Sequence, residues 1–398
     1  MLKNIKSKHI LQIVFEKINY DRKLNITKYN KLLQTRLNLT TEDYIINLIK
    51  QKLKKKFYIN FEGEFELNAK GAYIGEIGLE YLNKIRLINL NKLDLSNTRI
   101  SNINALEKLN TKKLKELNLS FNNINNIKIL MKVCFKSLNK LDLFHNEISD
   151  INTLERVDFK ELKELNLGSN EISNINILEK VNFKKLNILN LRCNNISNLN
   201  ALERVDFKEL KELDLSYNQI SDIVFLENVK FKCLNKLILR GNEITDINIL
   251  EKVNFKELKE LNLRGNNISD IVVLERVDFK QLKELDLSYN QISDINILEN
   301  VEFNYLYKLN LGGNKISDID ILEKVNFKEL KELNLKENKI SNINVLGRVD
   351  FKQLKVLDLS SNKISDIDIL EEVNLEELKE LNLNYNLISD IEIRLSKI

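Results

Sequence analysis

Residues 258–281 read LKELNLRGNNISDIVVLERVDFKQ, and this 24-residue stretch recurs with few substitutions from Leu90 onward. The shared pattern is Leu-x-x-Leu-x-Leu-x-x-Asn-x-Ile-Ser-Asp/Asn-Ile-x-x-Leu-Glu-x-Val-x-Phe-Lys-x. Copies begin at Leu90, Leu114, Leu138, Leu162, Leu186, Leu210, Leu234, Leu258, Leu282, Leu306, Leu330, Leu354 and Leu378. A fixed period in this range signals a solenoid, in which each unit buries its apolar face only against its neighbours. Inside one unit, Leu261-x-Leu263 has period two, which predicts a short strand with both leucines on one face. Leu274 and Val277 lie three apart, which suits one helical or 3₁₀ turn. The predicted fold class is therefore an α/β solenoid. Its parallel sheet lines the concave side, and short helical or 3₁₀ turns line the convex side.

With positions counted from the first leucine of each unit, position 9 is asparagine in twelve of thirteen units. These are Asn122, Asn146, Asn170, Asn194, Asn218, Asn242, Asn266, Asn290, Asn314, Asn338, Asn362 and Asn386; Thr98 stands in the first unit. An amide both donates and accepts, so an inward-facing ladder that satisfies backbone groups is the structural reading. The Ser-Asp or Ser-Asn pair that follows favours a local turn. A metal site is the alternative for the recurring Asp, but Asn replaces it at 126, 174, 198 and 342, and calcium would need more oxygens per turn. Phenylalanine at position 22, from Phe135 to Phe351, has the period of the coil and reads as a core spine.

Positions 3, 5, 7 and 8 are expected on the concave face. Position 3 is mostly Glu or Lys and position 5 mostly Asn or Asp, which a solvated polar face explains. Positions 7 and 8 vary and supply Phe121, Phe144, His145, Arg192, Tyr217, Arg240, Arg264, Tyr289, Lys336 and Tyr385. Aromatic residues and arginine anchor protein interfaces, so this row is the candidate partner-binding surface. Residues 205–223 and 277–295 differ only at Glu209 and Gln281, so a 72-residue unit has been duplicated and Tyr217 and Tyr289 match as copies.

These motifs resemble leucine-rich-repeat proteins over residues 90–398. The Asn-x-Ile-Ser-Asp-Ile segment is most similar to internalins and to intracellular phosphatase-regulating repeats, whose units are nearer 22 residues. The resemblance implies a horseshoe that binds a protein partner and catalyses nothing. An internalin-like surface adhesin is an alternative within it.

Residues 1–57 read as a helical cap, with helices over 5–18 and 24–39 and a third that Thr40 or Thr41 can N-cap. Residues 58–89 read as a junction, with an alternating stretch at 58–67 and a short helix over 74–84. Ile10, Leu11, Val14 and Phe15 open a segment similar to the start of an F-box, although the Leu-Pro opening and the Trp are missing. That resemblance implies a substrate receptor of a cullin-type ubiquitin ligase, which would bind a Skp-type adaptor through residues 1–57. Residues 1–60 carry 14 Lys/Arg against 4 Asp/Glu, while the whole chain is +4. Lys50, Lys52, Lys54, Lys55 and Lys56 could contact nucleic acid or an anionic membrane, or simply end a helix in solvent. At the other end, Arg394 stands where an inward leucine is expected.

The three cysteines, Cys134, Cys193 and Cys233, form no framework, which points to a reducing compartment. No secretory leader or membrane-spanning run is visible, so cytoplasm, or the nucleus, is expected. His9 and His145 are the two histidines, and no hydrolase, zincin or P-loop motif occurs. No enzyme activity, cofactor or metal is expected.

Overall fold

The computed structural model describes residues 60–62, 66–83, 87, 89–109, 111–373 and 375–388, together with Thr35. The predicted N-terminal helices, the F-box-like residues Ile10, Leu11, Val14 and Phe15, the lysine cluster and Arg394 lie outside the described residues.

Among the described residues one open sheet of fifteen strands forms, and its spatial order is the chain order. Strand β1 (Asn60–Glu62) pairs antiparallel with β2 (Glu66–Asn68). Every later pairing is parallel, from β2 with β3 (Lys92–Asp94) to the last strand, β15 (Glu380–Asn382). From β3 onward the strands recur every 24 residues in strict register, so that Glu260 faces Glu284 and Leu261 faces Leu285. The alternation read from Leu-x-Leu buries Leu261 and Leu263 on the core side at 1% exposure or less.

Each strand is three residues long, at positions 3–5, and the backbone turns left-handed at position 8. The ladder nevertheless continues: Leu263 and Gly265 donate backbone N–H groups to Asp286 and Ser288 in the next turn, both at 2.8 Å. On the opposite side each of the first twelve units makes one 3₁₀ turn, from Asn104–Lys108 to Asp368–Glu371. Position 13 starts it. Asp270 Oδ1 accepts the N–H of Val272 at 2.8 Å, and Asn342 Oδ1 accepts that of Asn344 at 2.9 Å. Both side chains offer the same oxygen, which explains their interchange.

The position-9 asparagines are buried from Asn122 to Asn362 and half-buried at Asn386, and each ties two turns together. Asn266 Nδ2 donates to the carbonyls of Leu263 in its own turn and Leu239 in the preceding one, while its Oδ1 accepts the N–H of Ile244. Thr98 keeps part of this scheme, donating its hydroxyl to Leu95 O at 2.7 Å. The phenylalanines are buried as well, and Phe303 stacks on Phe327 with ring centroids 6.5 Å apart.

The sheet starts earlier than the first recognisable unit. The alternating segment at 58–67 contributes the β1–β2 hairpin, and the predicted helix over 74–84 is α1 (Gly75–Leu82). Leu67 is 1% exposed and pairs with Leu93, so β2 belongs to a turn of the coil. This turn is 26 residues long and carries an α-helix in place of the 3₁₀ turn, which puts its leucines out of phase with the repeat. Glu76 in the first turn of α1 fastens it to the next unit by accepting from Ser101 N, Ser101 Oγ and Asn102 N. These bonds, Ser101 Oγ foremost, hold the Glu76 carboxyl at about 2.

Candidate binding surface

The edge of the sheet beyond the strand ends is built by two side chains per turn. At position 5 the Asn or Asp side chain bends back on itself, and its Oδ1 accepts the N–H of position 7. Asn190 does this for Arg192, Asn262 for Arg264 and Asp286 for Ser288. Position 5 was expected to be a merely solvated face. It is instead half-buried and makes the turn, since the short polar side chain supplies an acceptor to a backbone N–H that the bend exposes. The exception, Ile238, has no such acceptor to offer. Where position 7 is serine it too turns inward, as in Ser288, whose hydroxyl donates to Asp286 at 2.5 Å.

Position 8 is in the left-handed region in all thirteen units. Glycine fills it at Gly241, Gly265 and Gly313; elsewhere φ lies between 52° and 58° at Asn97, Phe121, His145, Ser169, Cys193, Tyr217, Tyr289, Glu337, Ser361 and Tyr385. This conformation points the side chain out of the coil. Phe121 is 51% exposed, Tyr217 39% and Tyr385 86%.

Three groups form along this edge. Phe121 packs edge-on against Phe144 at 5.4 Å and tilts against His145 at 5.0 Å. Three units on from Phe144 and His145, Tyr217 lies between Arg192 and Arg240, whose guanidinium carbons stand 5.7 and 5.1 Å from its ring centre. Arg264 lies 4.3 Å from the ring centre of Tyr289, and Lys336 Nζ 5.8 Å from it. The tyrosines rest on glycines of the following turn: a Cβ on Gly241 would sit 2.6 Å from the Tyr217 ring, and one on Gly313 would sit 2.7 Å from that of Tyr289. Tyr385 stands exposed at the last described turn.

Glu337 also belongs to the surface, and the residue types alone did not single it out. It accepts from Tyr289 Oη at 3.0 Å and pairs with Lys336 at 3.4 Å. Its place at position 8, beside a position-7 lysine already counted, was the available signal.

Position 3 forms a second, parallel row. Cross-strand ion pairs join Lys140 to Glu164 at 2.5 Å, Lys236 to Glu260 at 2.7 Å and Lys308 to Glu332 at 2.7 Å. Hydrogen bonds to Glu164 and Glu332 hold the Lys140 and Lys308 ammonium groups above their usual range. Beside this row, at position 2, Tyr307 donates to Glu284, and that bond pushes the phenol up to about 12. Among the described residues no group of three or more His, Cys, Asp or Glu is placed to hold a metal ion. No described helix is long and apolar enough to cross a membrane.

The family described as "Leucine Rich repeats (2 copies)" matches residues 208–252, 256–300 and 352–395. Two further families, both described as leucine rich repeat, match residues 304–364 and residues 112–127 and 136–151. The internalin InlF of Listeria monocytogenes is 30% identical, with a TM-score of 0.68, over 85% of this chain and 94% of its own. The chain belongs to the leucine-rich-repeat proteins. A leucine-rich-repeat protein of Leptospira interrogans is 26% identical, with a TM-score of 0.66, over 80% of this chain and 78% of its own. The functional domain of InlJ from Listeria monocytogenes shares the fold at 20% identity, with a TM-score of 0.60, over 87% of this chain and 66% of its own. No curated protein matches the sequence. The leucine-rich-repeat fold is typical of protein–protein interaction, and its members are in general non-catalytic scaffolds.

Proposed function

We propose that the protein is a non-catalytic scaffold that binds a protein partner along the position-7 and position-8 edge of its concave sheet. The observation that supports this is the presence of large aromatic side chains where the backbone favours glycine. A left-handed conformation costs an ordinary residue roughly 1–2 kcal/mol, and Phe121, Tyr217, Tyr289 and Tyr385 all adopt it. Three of these four side chains remain exposed, so burial repays only part of the cost in the free protein. Strain of this kind persists where a surface is used, and aromatic residues with neighbouring arginines are the common anchors of interfaces.

The backbone supplies a clean test. Tyr217→Gly with Tyr289→Gly removes both rings while relieving the left-handed strain, so the fold keeps its thermal stability. Affinity purification of the parent and the double variant, each followed by mass spectrometry, should show the main captured protein lost from the variant. Equal capture by both would end the proposal.

A second reading, a surface-displayed binding protein of the internalin kind, draws on the identity with InlF over 94% of that chain. Protease treatment of intact source cells should then digest the protein; complete protection would exclude it.

A further inference from the structure

The binding edge changes character along its length. Its first part is apolar, built from Phe121, Phe144 and His145. At Gly168 the neighbouring side chains close in, since a Cβ there would lie 3.0 Å from both Phe144 Cδ2 and Arg192 Cγ. From that point five successive turns each project one large side chain: Arg192, Tyr217, Arg240, Arg264 and Tyr289. Among the described residues, none of these three guanidinium groups has a carboxylate within the 4.0 Å that defines an ion pair. On the convex side the situation is opposite, for Arg204, Arg276 and Arg348 are paired with Glu179, Glu251 and Glu323. At the far end of the row Lys336 is neutralised by Glu337. On this edge, the arginines without an ion-pair partner therefore fall in the turns from Arg192 to Arg264.

Resting on the reading that this edge binds a partner, we infer that the stretch docks an extended acidic segment of that protein. The guanidinium groups lie beside tyrosine rings, which orders them; Arg264 Nη1 donates to Ser288 Oγ at 3.4 Å, and the remaining N–H groups can meet carboxylates. Five strands at about 4.8 Å spacing present a track of roughly 19 Å, which matches about six residues of extended chain at about 3.3 Å each. The strip is narrow. The position-3 row, with Glu212, Glu284 and the Lys236–Glu260 pair, runs parallel to it four residues back along each turn, at most about 13 Å away. A duplex, with two rows of phosphates, would overlie those glutamates. Single-stranded nucleic acid relies on open aromatic faces, and the Tyr217 ring is already covered by Gly241 and flanked by two arginines.

Fluorescence anisotropy of the full chain tests the inference with three labelled probes: octaglutamate, octalysine and an eight-residue oligothymidylate. Octaglutamate should bind, and more weakly as salt rises. Arg192→Gln with Arg240→Gln and Arg264→Gln should weaken it about tenfold, whereas Arg204→Gln with Arg276→Gln and Arg348→Gln should leave it unchanged. Arg→Lys at the same three concave positions should fall between, because the charge is kept and the fork is lost. Octaglutamate affinity indifferent to the three concave arginines overturns the inference, as does a loss that follows Lys50, Lys52, Lys54, Lys55 and Lys56→Gln instead. Tighter binding of the oligothymidylate through the same arginines overturns it in favour of a nucleic-acid surface. In each of these cases a tyrosine-dependent capture of the native partner would still stand, so this failure is distinct from failure of the binding edge itself.

Discussion

At the scale of single residues, position 8 sets the balance between stability and surface. Ser361 is left-handed at φ 54° and has no aromatic role. Ser361→Gly should raise stability by about 0.5–1 kcal/mol, the left-handed relief less the entropy of a freer unfolded chain. Chemical denaturation measures it, and no gain would mean that the left-handed backbone carries little cost. Gly241→Ala should act oppositely and cost about 1 kcal/mol, because the methyl group both strains a backbone at φ 66° and displaces the Tyr217 ring. Position 8 also marks the limit of what residue types reveal. The sequence shows that the position varies, but Phe, Tyr, His, Ser, Cys and Glu share no preference for a left-handed backbone, and three glycines in thirteen units do not declare one. Position 5 was illegible for a related reason. An Asn or Asp that makes a turn and one that faces water look alike until the N–H beside it is seen.

Among elements, the asparagine ladder was the most legible feature, because one residue type that donates and accepts at a fixed phase has few other uses. Asn266→Ala should cost about 3 kcal/mol or more, since two buried carbonyls and one buried N–H lose their partner at once. Asn266→Asp should be no better, because a carboxylate restores the acceptor and neither donor. Urea titration of both variants distinguishes this from a packing loss, for which the nearly isosteric Asp would be mild. The first turn was less legible, since its leucines are out of phase and α1 replaces the usual 3₁₀ turn. The attachment of α1 carries its own pH signature. The Glu76 carboxyl lies at about 2, below its ordinary 4.5. A depressed value means the carboxylate is favoured in the folded state, so its contribution is full above 4.5 and is lost as pH falls toward 2. The group is exposed, and solvent limits that contribution to about 1 kcal/mol or less. Glu76→Gln should therefore lower the melting temperature slightly at pH 7 and by less at pH 3; equal losses would remove the carboxylate from the account.

For the molecule as a whole, the coil is nearly one-dimensional, so length is separable from fold. The duplicated segment makes this testable without a foreign junction. Deleting residues 210–281 joins Glu209 to Leu282, and the sequences on either side of the two cut points are otherwise the same over residues 205–223 and 277–295. The turn beginning at Leu282 then meets the turn ending at Glu209 through the same register, Leu-to-Leu, that the strands use throughout. Three strands are lost, which shortens the sheet by about 14 Å, and the denaturant dependence of unfolding should fall by about a fifth, with the buried surface removed. Small-angle scattering should report a shorter, folded particle, and circular dichroism per residue should not change. The deletion also removes Tyr217, Arg240 and Arg264 while sparing Arg192 and Tyr289, which become neighbours in adjacent turns. If partner binding needs the spaced row rather than one arginine–tyrosine contact, the shortened coil should fold and fail to bind. A shortened coil that folds and still captures the partner would show that the spaced row is not needed and that the turns outside 210–281, with their one arginine–tyrosine contact, suffice.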